Sequence, residues 1–208
     1  MDEAFYGDRL TGIKPDIVLG CGDLPFDYLE YLVTRLDVPL LYVPGNHDPS
    51  LKPPDMTWMP LRTETPALGG APMPGPQGCT NVDGRVIDVH GLRVAGLGGS
   101  LRYKEGPNQY SQGQMGRRAI RLELSIRLRR VQRGRRLDIL VTHAPPFGAA
   151  EANDSAHVGF LAFLRLIRNF RPALAVHGHI HPYGRVLPER KVGSTRVVNV
   201  VPSRVIEI

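Results

Sequence analysis

Short apolar runs recur along this 208-residue chain, and each is bounded by glycine, proline or polar residues. Runs of this length predict buried strands, because helices need longer segments. They occupy residues 16–20, 40–43, 138–142 and 173–176. Residues 86–89 and 92–97 predict a hairpin around Gly91, and the tail, residues 185–208, alternates enough for two or three antiparallel strands.

Two segments place apolar residues on one helical face. The first begins at Pro25, and its apolar positions are Leu29, Leu32, Val33 and Leu36. The second ends before Pro172, and its apolar positions are Phe160, Phe163, Leu164 and Ile167. Residues 3–13 predict a further short helix. The helix from Pro25 joins the strands at 16–20 and 40–43, a β-α-β unit that predicts parallel, neighbouring strands.

A longer helix is predicted from about Gly113, and its apolar face is assigned to Ile120, Leu124, Leu128 and Val131. The other faces carry Arg117, Arg118, Arg121, Arg127, Arg129, Arg130 and Arg133. We interpret these arginines as a solvated surface, because no aromatic side chains are interleaved for base stacking. The alternative is that the Arg-rich helix at residues 117–136 docks nucleic acid or another polyanion.

Two polar segments interrupt the strands. Residues 49–84 contain many of the 19 prolines, and residues 98–112 form a second loop with Arg102, Tyr103 and Lys104. Long loops inside a compact domain are usually functional, so we expect both to rim a site and to select its substrate. The flanks of the proline-rich loop contribute to one fold, so residues 1–208 are interpreted as a single domain.

Composition narrows the class of protein. The chain is 42% hydrophobic and 22% charged, which is ordinary for a soluble globular protein. No apolar run approaches the roughly 20 residues that span a bilayer, and the acidic first residues do not form a signal peptide. The two cysteines suit a reducing cytoplasm. A net charge of +6 favours anionic partners such as phosphates and nucleotides.

Metal-ligand residue types follow four of the predicted strands. These residues are Asp23, Asn46 with His47, His143, and His179 with His181. Carboxyl ends of parallel strands meet at one edge of an α/β sheet, so these side chains are predicted to converge. Imidazole, carboxylate and amide ligands suit Mn, Fe or Zn rather than a thiolate-bound structural zinc. No Ser–His–Asp order or glycine-rich phosphate loop competes with this interpretation.

The motifs GD at 22–23, GNHD at 45–48, THAPP around His143 and GHIH at 178–181 resemble the calcineurin-like metallophosphoesterases. The resemblance covers residues 16–208, and the middle segment is similar to a cytosolic prokaryotic branch. It implies an α/β fold of two packed mixed sheets flanked by helices, with the site at the strand ends. It also implies a dinuclear centre, with manganese favoured, in which a metal-activated hydroxide attacks a phosphomonoester or phosphodiester.

The resemblance also implies roles for individual residues. Asp23 would bridge two metals. Asn46, His143 and His179 would complete the shell of one metal, and His181 would bind the other. His47 would serve as general acid or charge stabiliser at the phosphoryl group. Asp48 would hydrogen-bond His47 and keep its ring protonated.

The family's first motif, a strand ending in Asp-x-His, has no counterpart in the sequence. We therefore expect the native start to lie upstream of Met1. We also expect the metal held by Asn46, His143 and His179 to bind better than the metal held by His181, with Asp2 as a substitute ligand. The alternative functions are a non-enzymatic relative that keeps a metal or phosphate site, and a nucleic-acid-binding protein.

Overall fold

The computed structural model describes residue 10 and residues 12–50, 75–133, 136–148, 158–181 and 187–208. The strands in these ranges are β1 (Val18–Gly20), β2 (Leu40–Tyr42), β3 (Cys79–Asn81), β4 (Val86–Val89), β5 (Leu92–Leu97), β6 (Ser100–Leu101), β7 (Gln109–Tyr110), β8 (Ile139–Thr142), β9 (Leu174–His177), β10 (Arg190–Val192) and β11 (Thr195–Asn199). The helices are α1 (Phe26–Leu36), α2 (Gln112–Arg133) and α3 (Leu161–Phe170). Most of the predicted helix at 3–13 and most of the proline-rich loop lie outside the described residues.

Two main sheets form from these strands. The smaller has the order β1-β2-β3, and its described strands are all parallel. The larger has the order β10-β11-β9-β8-β5-β4. Its four central strands are parallel, and β4 and β10 add antiparallel edges. Strands β6 and β7 form a separate two-stranded parallel ladder.

Alternation along the strands builds three apolar layers. In β2, Leu40 and Tyr42 pack towards α1, whereas Leu41 lies in the layer between the two sheets. In β8, Ile139 faces that same layer, and Leu140 packs against α2 and α3. Since successive side chains of a strand point to opposite faces, each sheet is covered on both sides. The predicted architecture of two packed sheets with helices outside is confirmed.

Local backbone signals explain several boundaries. Helix α1 begins after Pro25 and ends at Asp37, which adopts a left-handed conformation with its N–H 3.0 Å from the Val33 carbonyl oxygen. Helix α3 ends in the same way at Arg171, directly before Pro172. The predicted hairpin is confirmed as β4 and β5, turning through His90 and Gly91 at positive φ.

Parts of the strand prediction were wrong. Residues 79–81, assigned to the proline-rich loop, form β3, which pairs in parallel with β2. The second polar loop contains β6 and β7. In the tail, β10 and β11 form one antiparallel hairpin, but β11 also pairs in parallel with β9.

The apolar face assigned to α2 was also wrong. Ile120, Leu124 and Leu128 are exposed, and the face against the sheet is Met115, Ala119, Leu122 and Ile126. The side chain of Val131, the fourth residue assigned, lies outside the described residues. Several arginines form ion pairs along this helix: Arg118 with Asp83, Arg127 with Glu123, and Arg129 with Asp88. The exposed side of α2 therefore mixes arginines with large apolar side chains. Among the described helices, none has the length and apolar character needed to cross a membrane.

Candidate metal centre

Four strand ends converge on one edge of the fold. The turns after β1 and β2 touch each other, and the residues that follow β8 and β9 meet them from the larger sheet. A Cβ on Gly22 would lie 2.5 Å from the Gly45 backbone nitrogen and 2.6 Å from Nδ1 of His143. Glycine at 22 is therefore required for the two sheets to bring their turns together.

The convergence gathers three potential metal ligands. One ligand atom from each of Asp23, His143 and His179 lies within 4.8 Å of the others. Oδ1 of Asn46 lies 2.9 Å from Nε2 of His143, and Oδ2 of Asp23 lies 3.4 Å from the same nitrogen. We name Asp23, Asn46, His143 and His179 the ligand cluster.

The protonation of His143 decides what the ligand cluster can hold. Its Nδ1 lies 2.7 Å from the carbonyl oxygen of Cys21, an acceptor that requires the ring proton on Nδ1. Burial lowers the pKa of His143 to about 4, so the neutral ring is favoured. Nε2 is then an acceptor that faces two oxygen acceptors, Oδ1 of Asn46 and Oδ2 of Asp23. Converging lone pairs with no hydrogen between them fit a bound cation, and the backbone bond at Nδ1 is the usual support of a metal-ligating histidine.

Asp48 holds the turn after β2 in place. Its Oδ2 accepts the N–H of Gly45 at 2.7 Å and the N–H of Asp23 at 3.0 Å. Burial raises the pKa of this carboxyl group, while the two N–H donors act in the opposite direction. The hydrogen bonds that the Asp48 side chain makes with the described residues come from these two backbone N–H groups, and the predicted bond to the ring of His47 is not among them. Asp48 positions the turn that carries Asn46 and His47.

His47 stands at the open side of the ligand cluster. Its backbone N–H donates to Oδ1 of Asp23 at 2.8 Å, and its side chain is exposed. The ring is thus close to the cluster and accessible from solvent. This placement suits a group that handles protons on an incoming molecule.

The turn after β9 carries the last histidines. Gly178 donates its N–H to the carbonyl oxygen of His143 at 3.0 Å, and His179 adopts a positive φ of 65°. Nδ2 of Asn199 donates to the carbonyl oxygen of Ile180 at 2.7 Å. His181 is exposed and is not a member of the group that meets within 4.8 Å. His177 is buried with Nδ1 3.1 Å from the carbonyl oxygen of Gly178, and burial lowers its pKa to about 4.

The polar loop at residues 98–110 grips the turn after β2. Nδ2 of Asn108 donates to the carbonyl oxygens of Gly45 and Asp48 at 3.0 and 3.1 Å. The N–H of Gly99 donates to the carbonyl oxygen of Pro44 at 2.8 Å. This loop therefore forms one wall of the site, as expected of a segment that rims it.

An ion pair fastens that loop to the rest of the fold. Arg118 on α2 contacts both carboxylate oxygens of Asp83 at 2.5 Å and stacks over the ring of Tyr110 at 4.3 Å. The same guanidinium donates to the carbonyl oxygen of Gly98 at 3.0 Å, and Asp83 accepts the N–H of Gly98 at 2.7 Å. Nη2 of Arg118 makes both contacts with Asp83, and Nη1 makes the contact with Gly98, so one guanidinium joins the loop to α2.

Comparison with known proteins agrees with this geometry. The profile of the family described as calcineurin-like phosphoesterase matches residues 4–183. The chain belongs to the calcineurin-like phosphoesterase family. The resemblance of its motifs to that family is thereby confirmed, and with it a family that uses divalent metals.

Solved structures share the fold of this chain. TT1561 of Thermus thermophilus is 18% identical with a TM-score of 0.54, and the match covers 91% of this chain and 77% of that one. A second crystal structure is 17% identical with a TM-score of 0.55, covering 92% of this chain and 81% of the other. At these identities the likeness shows the fold alone. No curated protein matches the sequence significantly.

Sequence reasoning missed several residues of the phosphoesterase site. Asn108, Asn199 and Asp83 were given no role, and Arg118 was assigned to a solvated surface, although each supports a turn of the site. Asn199 follows an apolar run and so carried the same strand-end signal as the histidines. Asn108 and Asp83 lie in loops, where no periodic pattern marks them. The metal-binding and catalytic roles of the predicted residues stay predictions.

Proposed function

We propose that this chain is a metal-dependent phosphohydrolase that cleaves phosphomonoesters or phosphodiesters. The observation that carries the proposal is the convergence of one potential ligand atom from each of Asp23, His143 and His179 within 4.8 Å, in a chain of the calcineurin-like phosphoesterase family. Nε2 of His143 faces Oδ1 of Asn46 at 2.9 Å, a contact that a cation between ligands would stabilise. The nitrogen and oxygen donors suit Mn, Fe or Zn, and we favour manganese.

We propose two ions for the working enzyme. The ligand cluster would hold the first ion, and Asp23 and His181 would hold the second. The exposure of His181 and its place outside the ligand cluster indicate that the second ion is held less firmly. When bound, the ions supply acidified water as nucleophile and neutralise charge on the phosphoryl oxygens.

The chain's own residues complete the reaction. His47 is exposed beside Asp23, so its ring can donate a proton to the leaving oxygen or stabilise charge on the phosphoryl group. Asp48 fixes the turn that carries His47 and Asn46, and Asn108 holds the same turn from the loop side. Because these residues are already fixed in position, less of the activation free energy is needed to orient the catalytic groups.

The substrate is proposed to be a phosphorylated small molecule or nucleotide. The exposed Lys104 lies with its Nζ 5.5 Å from the centre of the Tyr103 ring, at the wall formed by the loop at residues 98–110. A cation at this wall supports an anionic substrate. A cytoplasmic location, expected from the sparse cysteines, is part of the same proposal.

Hydrolysis of two aryl esters tests the function. The metal-free protein is assayed with bis(p-nitrophenyl) phosphate and p-nitrophenyl phosphate, with and without added Mn²⁺. We expect manganese-dependent hydrolysis of at least one ester, and a loss of about 10²–10⁴-fold in kcat for His47→Asn.

His90→Asn is the matched control. His90 is an exposed histidine in the β4–β5 turn at a positive φ of 45°, which asparagine also tolerates. It should keep full activity. No hydrolysis by the unchanged chain at any manganese concentration, or equal activity of His47→Asn, would contradict the proposal.

A further inference from the structure

The amide of Asn46 makes two contacts in opposite directions. Its Oδ1 faces Nε2 of His143 at 2.9 Å, and its Nδ2 donates to the hydroxyl of Tyr103 at 3.2 Å. Asn46 is only 2% exposed, so water does not readily replace either partner. Tyr103 lies 57 positions further along the chain than Asn46. Among the described residues, its hydroxyl is the acceptor for Nδ2 of Asn46.

The position of Tyr103 is itself supported. The backbone N–H groups of Tyr103 and Lys104 both donate to Oε1 of Gln109, each at 3.3 Å, and Gln109 is buried. Asn108, the preceding residue, grips the carbonyl oxygens of Gly45 and Asp48. The adjoining residues Asn108 and Gln109 therefore hold the Tyr103 hydroxyl against the turn after β2, although Tyr103 is 40% exposed.

Only one orientation of the Asn46 amide suits a metal ion. A cation needs Oδ1, because an amide nitrogen carries hydrogens and offers it no lone pair. With Oδ1 turned to the ion, the buried NH₂ must find an acceptor elsewhere or remain unpaired, at a cost of about 1–3 kcal/mol. A flipped amide would pair its NH₂ with Nε2 of His143 and point that donor into the ligand cluster.

We propose that Tyr103 is a positioning residue for the metal centre: its hydroxyl accepts the Asn46 NH₂ and thereby keeps Oδ1 directed at the ion. The inference rests on the metal site of the proposed function, but not on hydrolysis. Because the Tyr103 hydroxyl accepts a hydrogen bond from Asn46, its own proton points away from Asn46. Groups that orient a ligand in this way typically contribute about 10–100-fold to metal affinity.

The test is Mn²⁺ affinity of the metal-free full chain, measured by isothermal titration calorimetry. Tyr103→Phe keeps the ring and removes the hydroxyl, and we expect the affinity to fall by about 10–100-fold. The matched control is Tyr110→Phe, which removes a hydroxyl from the same loop while keeping the ring under Arg118. It should bind Mn²⁺ as the unchanged chain does.

Thermal unfolding of the metal-free proteins separates positioning from folding. Without a metal ion, the Asn46 amide of Tyr103→Phe can flip and pair its NH₂ with Nε2 of His143. We therefore expect this variant and the unchanged chain to unfold at the same temperature, whereas a merely structural tyrosine would lower it. Equal Mn²⁺ affinity of Tyr103→Phe, a parallel loss in Tyr110→Phe, or no Mn²⁺ binding by the unchanged chain overturns the inference. If Mn²⁺ binding shows the expected loss but neither ester is hydrolysed, the inference stands and the proposed function fails.

Discussion

Two histidine-bearing turns of the site, those after β2 and after β9, are held very differently. The turn after β2 is held by several hydrogen bonds. The Asp48 carboxylate accepts the N–H groups of Gly45 and Asp23, and the Asp23 carboxylate accepts the N–H of His47. The side chain of Asn108 donates to the carbonyl oxygens of Gly45 and Asp48. The turn at residues 178–181 is tied by the N–H of Gly178 and by Asn199. We infer that hydrogen bonds preorganise the ligand cluster mainly at the turn that carries Asn46, and that the turn that carries His181 is held less firmly.

Removing a ligand from the firm side should have the largest effect. Asp23→Asn keeps an acceptor for the His47 N–H but removes the charge from the ligand cluster. We expect the tightest Mn²⁺ binding step to weaken by more than about 100-fold, since changes around a ligand alone cost about 10–100-fold.

His181→Asn is the matching substitution in the turn at residues 178–181. It should weaken the tightest Mn²⁺ binding step by less than about tenfold, which is the smallest loss typical of residues that support a metal ligand. Titration calorimetry measures both. Equal losses in the two variants would remove the distinction between the turns.

The Asp48 clamp should dominate the stability of the firm turn. Asp48→Ala leaves two backbone N–H groups without their acceptor, so we expect a loss of about 2–5 kcal/mol in the free energy of unfolding. Asp48→Asn keeps one acceptor oxygen and should lose less than half of that amount. Urea unfolding of the metal-free protein measures the difference, and an Asp48→Ala protein as stable as the unchanged chain would be inconsistent with the clamp.

Acid should destabilise the metal-free protein through His177, the buried last residue of β9. Burial lowers the pKa of His177 to about 4 from an ordinary 6.5. Between these values the unfolded chain binds more protons than the folded one, so stability falls as the pH is lowered through this window. The contribution approaches about 3 kcal/mol at the acid end.

Urea unfolding at several pH values between about 4 and 6.5 tests this. His177→Asn should flatten the dependence of stability on pH, while His90→Asn should leave it unchanged. His143, whose pKa is also lowered to about 4, keeps part of the slope in both variants. An unaltered slope in His177→Asn would contradict the assignment.

The smallest effect is expected from the side-chain bond that Asn199 makes to the second turn. Asn199→Ala removes the bond to the Ile180 carbonyl oxygen and the acceptor for the Val201 N–H. We expect a loss of about 1–2 kcal/mol by urea unfolding. Asn169→Ala on the exposed end of α3 should change stability by less than about 0.5 kcal/mol. A loss at Asn199 as large as that of Asp48→Ala would make the two turns equivalent.

The central strands and the ligand cluster could be predicted from sequence because one signal served both. Apolar runs ending in Asp23, Asn46, His143 and His179 predicted buried parallel strands, and parallel strands place such ends at one edge. Strand β3 was missed because its residues, Cys-Thr-Asn, carry little apolar pattern and are ordered by the ladder to β2.

The α2 error has a different cause. Ile120, Leu124 and Leu128 repeat at helical spacing as regularly as the face that is buried, Met115, Ala119, Leu122 and Ile126. Periodicity alone therefore defined two candidate faces. The contacts of Tyr103 and Asn108 with the turn after β2 join residues 57 and 60 positions apart, and no local pattern encodes a pairing of that range.

The central claim is that the ligand cluster holds a divalent cation, and anomalous diffraction from manganese-soaked crystals tests it most directly. The account predicts an anomalous peak at the manganese edge between Asp23, Asn46, His143 and His179, absent in Asp23→Asn crystals soaked in the same way. Manganese located only elsewhere on the chain, or a peak of equal height in the Asp23→Asn crystals, would contradict it.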